Sequence, residues 1–117
     1  MIEELVERVF AARDVTHREH WRTRSYSAHM ALGDFYDGVI DAIDGIVEAY
    51  QGQFGLIGEV NVATTPVQNI TLWLQAEMSW IQANQAAISR GSSAVSNLID
   101  TLVELYQSTI YKLTHLQ

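Results

Sequence analysis

Cysteine is absent from the 117-residue chain. Its absence excludes disulfide bonds, thiolate-held iron–sulfur clusters and cysteine nucleophiles, and it fits a reducing compartment. No apolar run approaches the ~18 residues that a membrane span requires, and Glu3 and Glu4 stand where a signal peptide carries positive charge. We therefore predict a cytoplasmic protein without a membrane partner, in which nitrogen and oxygen atoms hold any metal ion.

Positive charge is also scarce. Seven Lys and Arg against fourteen Asp and Glu give a formal net charge of −7, which argues against a nucleic-acid partner because phosphate contacts need clustered basic residues. Between Val60 and Ile99 the only charged residues are Glu77 and Arg90. So few charges on helical surface indicate that a partner covers this half of the chain.

Proline occurs only at Pro66, shortly after a cluster of three glycines at Gly52, Gly55 and Gly58. This stretch, about 52–67, predicts a long irregular crossover. A crossover of this length is compatible with parallel second and third helices, as in ferritin-like bundles, although length alone does not decide it. The length of the chain suits one domain over residues 1–117.

Apolar residues recur at helical spacing on either side of the crossover, which predicts an all-α, ferritin-like four-helix bundle. The four predicted helices run from Ile2 to Arg22, from Ser25 or Ser27 to Gln51, from about Pro66 to Ser89, and from Val95 to Leu116. Glu77 lies on the apolar face of the third helix, where a carboxylate needs a partner. That partner is either an arginine or a metal ion.

Two histidines, His20 and His29, fall on the apolar sides of the first two helices. Each is either a metal ligand or a side chain satisfied by one hydrogen bond. His17 lies three residues before His20, a spacing that permits chelation, but its lateral position favours a surface or interface role. His115, near the end of the chain, is expected to be exposed.

Carboxylates follow on the second helix, at spacings of four, three and four residues: Asp37, Asp41, Asp44 and Glu48. Like charges at these spacings repel each other. The pattern is that of a solvated acidic face or of a cation site. His29 and Asp44 lie about 22 Å apart along one helix, so a site that uses both needs two chains. Antiparallel pairing of two second helices about a two-fold axis would form two such sites.

The segment from about Asp14 to Gly52 resembles the Dps branch of the ferritin-like superfamily. The resemblance is carried by His20-Trp21, His29, Phe35-Tyr36, Asp44-x-x-x-Glu48 and Gly52. It implies an iron site between subunits, with His20 and His29 from one chain, Asp44 and Glu48 from the other, and Trp21 beside them. His17, Asp37 and Asp41 are expected near this site.

The resemblance also implies a homodimer or larger homo-oligomer that oxidises Fe(II) with peroxide or oxygen. Imidazole and carboxylate ligands suit manganese and zinc as well as iron. Two features differ from the family pattern: Gly33 stands where the family has an Asp, and the segment between His20 and His29 is shorter. The alternative function is therefore a helical assembly or adaptor protein that has lost the metal site.

Overall fold

The computed structural model describes residues 1–117 and contains four α-helices. They are α1 (Ile2–Arg22), α2 (Tyr26–Phe54), α3 (Ile70–Ser89) and α4 (Ser93–His115). The predicted all-α four-helix bundle is confirmed. None of the helices combines the length and the apolar character that a membrane crossing requires.

Side-chain caps fix where three of the helices begin. Ser25 caps α2 by accepting a hydrogen bond from the backbone N–H of Ala28, and Ser92 caps α4 in the same way. The predicted start of α3 near Pro66 is wrong by four residues. Asn69 provides the cap there, because its side-chain oxygen accepts the backbone N–H of Leu72 at 3.1 Å.

The predicted end of α2 at Gln51 is also wrong, since the helix continues to Phe54. Gly55 terminates it with a φ of 96°, a conformation that glycine adopts without steric cost. Gly52 lies inside the last turn instead. The crossover therefore spans residues 55–69 and is fifteen residues long.

The crossover runs along the whole length of α1. Near its start, the backbone N–H of Gly58 donates to Glu3 at 2.7 Å, and that of Asn61 donates to Glu7 at 2.9 Å. Near its end, residues 65–67 line a cavity with the last two turns of α1. The crossover thus returns the chain to the end where α2 began, and α3 runs parallel to α2.

The core lies between the four helices, and each contributes fully buried residues. In α2, Leu32, Val39, Ile43 and Ile46 are buried, but Tyr36 and Tyr50 are only half-buried. Phe35 is fully buried. Its ring packs edge-on against Tyr106 of α4, with centroids 4.9 Å apart, and this contact joins the two helical hairpins.

Glu77 has an arginine partner. Arg8 Nη1 donates to Glu77 Oε2 at 2.9 Å, and the guanidinium lies 4.3 Å from the ring centre of Trp80. The nearby Tyr106 hydroxyl is buried without a hydrogen-bond partner. Burial, with the negative charge of Glu77 as a smaller cause, raises the pKa of Tyr106 well above its usual value.

Candidate functional site

His20 and His29 meet where α1 turns into α2, and their imidazole rings stack with centroids 3.6 Å apart. His20 Nδ1 lies 2.6 Å from the carbonyl oxygen of His29. His29 Nδ1 lies 2.8 Å from the carbonyl oxygen of His20. We call this reciprocal pair the histidine clasp.

The short connection between the helices sets the register of the clasp. α1 ends at Arg22, where the N–H of Thr23 still bonds to the carbonyl of Glu19, and Ser25 already caps α2. Three residues therefore reverse the chain. The last turn of α1 and the first turn of α2 are held side by side, which brings residues 20 and 29 opposite each other.

The clasp determines which ring nitrogens remain available. A carbonyl oxygen only accepts hydrogen bonds, so each Nδ1 must carry the proton that it donates. In the neutral imidazole the other nitrogen, Nε2, then has a free lone pair. Metal-binding histidines in proteins are commonly held in this way, with one ring N–H fixed to a carbonyl oxygen.

Gly33 is part of the same arrangement. A Cβ atom built on Gly33 would lie 3.1 Å from His20 Cε1 and 3.3 Å from His20 Nδ1, closer than such atoms normally approach. The missing side chain therefore provides the space that the His20 ring occupies. Gly33 stands where the Dps pattern has an Asp, but in this chain the absence of a side chain has a packing role.

Three further rings extend the cluster. His17 stacks on Tyr36 with centroids 4.0 Å apart, and it lies 4.5 Å from the ring of Trp21. His17 is half-buried and therefore forms part of the packing between α1 and α2. Trp21 is 68% exposed, and its indole lies on the surface beside the clasp.

Asp44 and Glu48 are exposed and form no ion pair or hydrogen bond within the chain. They border a cavity of about 280 Å³ whose lining is otherwise apolar: Val6, Phe10, Ile43, Val47 and Ile57. The structure does not bring them to the histidines of the same chain, because fifteen residues of one helix, about 22 Å, separate His29 from Asp44.

The other two predicted residues of this region are exposed as well. Asp41 lies in a different groove, between α2 and α4, together with Glu104. Asp37 forms no hydrogen bond or ion pair with the histidines. No group of three or more His, Asp or Glu side chains within the chain is placed to hold one metal ion.

Sequence reasoning missed the hydrogen-bond acceptors of the clasp and the stacking of Tyr36 on His17. The carbonyl oxygens of His20 and His29 leave no trace in the residue types, so nothing in the sequence could have identified them. The contribution of Tyr36 had a signal, because it recurs one helical turn after Leu32 on the apolar side of α2. Its stacking on His17 follows from that position.

Comparison with known proteins gives one family. No curated protein and no solved structure matches the chain. A family model described as a family of unknown function, DUF5856, matches residues 20–113. This range begins at His20 and includes the clasp, both exposed carboxylates and all of α2 and α3. The chain therefore belongs to the DUF5856 family.

Proposed function

We propose that two copies of the chain associate through α1 and α2 and bind a transition-metal ion at each of two sites between them. His20 and His29 of one copy and Asp44 and Glu48 of the other are the proposed ligands. Iron is the proposed metal, and manganese and zinc are the alternatives because the same donor atoms suit them.

The observation that carries this proposal is the tautomer that the clasp imposes on both histidines. Each Nδ1 is committed to a carbonyl oxygen at 2.6 or 2.8 Å, so each Nε2 keeps a lone pair for a ligand. A histidine that served only to join the helices would need one such bond. Here two adjacent rings present the same free nitrogen.

The surface around the carboxylates supports association in an antiparallel arrangement. A two-fold axis near the middle of α2 would bring residues 29 and 44 of different copies to the same level. It would also place Trp21, 68% exposed, against the apolar cavity beside Asp44 and Glu48. Exposed aromatic side chains facing apolar cavities are typical of interface anchors.

As the resemblance to Dps implies, Fe(II) would be the substrate of the protein. Two Fe(II) ions would each give one electron to one molecule of hydrogen peroxide, whose O–O bond breaks. With two protons from the solvent the peroxide becomes two molecules of water, and both ions become Fe(III). The residues of this chain would supply the neutral imidazoles and the carboxylates that hold the ions in position. Oxidation is a separate step from binding and is tested separately.

The test begins with an anaerobic titration of the metal-free protein with Fe(II), which is monitored by Trp fluorescence. We expect Fe(II) to quench the fluorescence of Trp21 and the quenching to saturate. Because two chains form two sites, saturation should occur at about one ion per chain. Asp44→Asn and Glu48→Gln should each weaken binding, since both carboxylates are exposed and their loss leaves the fold intact. Asp34→Asn removes an exposed carboxylate elsewhere on α2 and should leave binding unchanged.

A mixing experiment tests whether the ligands come from two chains. We expect neither a His29→Gln variant nor a Glu48→Gln variant to bind tightly alone. In a mixed dimer one site carries both substitutions and the other carries neither, so co-refolding should restore part of the binding. If mixing restores nothing although mixed dimers form, the ligands are not shared and the proposal fails.

The second candidate is a helical assembly protein without a metal. The clasp favours it in one respect, because reciprocal bonds between His20 and His29 join α1 to α2 without any ion. This function predicts a dimer in sedimentation experiments and no saturable binding of Fe(II), Mn(II) or Zn(II).

Peroxide added to the Fe(II)-loaded protein separates a ferroxidase from a protein that only binds metal.

A further inference from the structure

Arg18 differs from the other arginines of α1 in having no partner. Arg8 pairs with Glu4 and Glu77, and Arg22 pairs with Glu19 at 3.0 Å. Arg18 forms no ion pair, and its Nε is buried without a hydrogen-bond partner. A buried charged donor left without an acceptor is costly, so its presence points to an acceptor that the chain itself does not supply.

Arg18 lines a cavity of about 200 Å³ between the last two turns of α1 and the end of the crossover. The other lining residues are Val15, Glu19, Arg22, Thr65, Pro66 and Val67. At ~30 Å³ per molecule this volume would hold about six waters. It therefore has room for a small polar ligand.

The charges around the cavity select an anion. Glu19 is held by Arg22, so these two charges offset each other and the charge of Arg18 remains. A guanidinium presents its N–H groups as a planar fork that matches two oxygens of a phosphate. The hydroxyl of Thr65 adds a further possible donor at the rim. We propose that this cavity binds a phosphate group through Arg18.

A second cavity, of about 350 Å³, continues from the first along α1. The two share Val15 and Thr65. Three carboxylates (Glu4, Glu7 and Glu77) and one cation (Arg8) line the second cavity. Its net negative charge disfavours further negative charge there. The phosphate could thus come from inorganic phosphate or from a phosphate monoester whose remainder extends into the second cavity and carries no negative charge.

This site is independent of the proposed metal site. On α1, Arg18 and Arg22 face the crossover, whereas His17 and His20 face α2. Binding at one site needs neither the residues nor the second copy required by the other. The two proposals therefore fail separately.

The experiment compares three chains: the unmodified protein, Arg18→Met and the control Arg24→Met. Arg24 is exposed, unpaired and outside the cavity, so the control removes the same charge. Each chain is titrated with inorganic phosphate and with phenyl phosphate by calorimetry, at ionic strength held constant with chloride. A single guanidinium predicts a Kd on the order of 1 mM for the unmodified protein.

We expect Arg18→Met to weaken phosphate binding about tenfold or more, as for loss of a charged hydrogen bond, and Arg24→Met to leave it unchanged. Tighter binding of phenyl phosphate would identify a phosphate monoester as the ligand, and equal binding would identify inorganic phosphate. Undiminished binding by Arg18→Met, or equal losses in both variants, would overturn the proposal.

A measurement on the unmodified protein guards against misfolding of the variant. In NMR spectra of the arginine side chains, phosphate should shift the Nε–H signal of Arg18 and leave that of Arg24 in place. If the Arg18 signal does not respond at phosphate concentrations well above 1 mM, the proposal is wrong.

Discussion

Helix α1 holds its two neighbours by different means. With α2 it shares a three-residue connection, the histidine clasp and the most extensive helix contact of the molecule. With α3 its contact is the smallest of the four helix pairs that pack together, and the crossover separates the two helices in sequence. The short connection lets His20 and His29 bond to each other's backbone carbonyls and so fasten α1 to α2, whereas the Arg8–Glu77 ion pair joins α1 to α3.

The largest effect is expected where α1 meets α3. Arg8→Met removes the ion pair and leaves the Glu77 side chain, 13% exposed, without a partner. We expect a loss of about 2 kcal/mol in the free energy of unfolding, measured in urea. Adding Glu77→Gln to the same chain should recover part of the loss, because the unpaired charge disappears. A loss no larger than that of Arg13→Met would mean that the pair does not hold α3.

A pair of glycine substitutions tests the clasp between α1 and α2. Gly45 has open space where a Cβ would be, so Gly45→Ala should stabilise the protein by about 0.5–1 kcal/mol through helix propensity. Gly33→Ala carries the same gain, but its Cβ would press on the His20 ring. We therefore expect it to be less stable than Gly45→Ala by about 1 kcal/mol. Equal stability of the two variants in thermal unfolding would show that the ring moves freely.

The smallest effect concerns the bond between α1 and the crossover. The backbone N–H of Gly58 donates to the Glu3 carboxylate and lowers the pKa of Glu3. A lowered pKa in the folded state means that this stabilisation is present above the ordinary carboxyl pKa and is lost as pH falls through the lowered value.

Glu3→Gln should therefore be less stable than the unmodified protein at neutral pH by about a few tenths of a kcal/mol, as for exposed pairs. The difference should shrink in acid, as followed by urea unfolding at several pH values. Glu59→Gln, an exposed carboxylate on the crossover without this bond, is the control. A difference between Glu3→Gln and the unmodified protein that does not change with pH would contradict the prediction.

The fold could be predicted because the apolar periodicity of the four helices is strong and the glycine-rich crossover interrupts it clearly. The errors lie at helix ends. Asn69 caps the start of α3 and Gly55 ends α2. Nearby residues, including Pro66 and Gly52, are equally typical of helix starts and ends. Local propensity does not tell which of these residues the packing will select.

The candidate site could be predicted only in part. The inward positions of His20 and His29 follow from periodicity, and their pairing follows from the short turn. Their hydrogen bonds could not be foreseen, since the acceptors are backbone carbonyls, and neither could the contact that makes Gly33 necessary. Whether Asp44 and Glu48 meet the histidines of another copy depends on how two folded chains pack together, and the apolar periodicity of one chain does not determine that packing.

The crossover contains more chain than its path requires. It spans the length of α1, about 30 Å at ~1.5 Å per residue, whereas fifteen extended residues reach about 50 Å. The slack leaves space between residues 63–67 and α1, and these residues line the two cavities there. A crossover shortened by a few residues would still connect α2 to α3. It would draw residues 65–67 closer to α1 and reduce the cavity at Arg18.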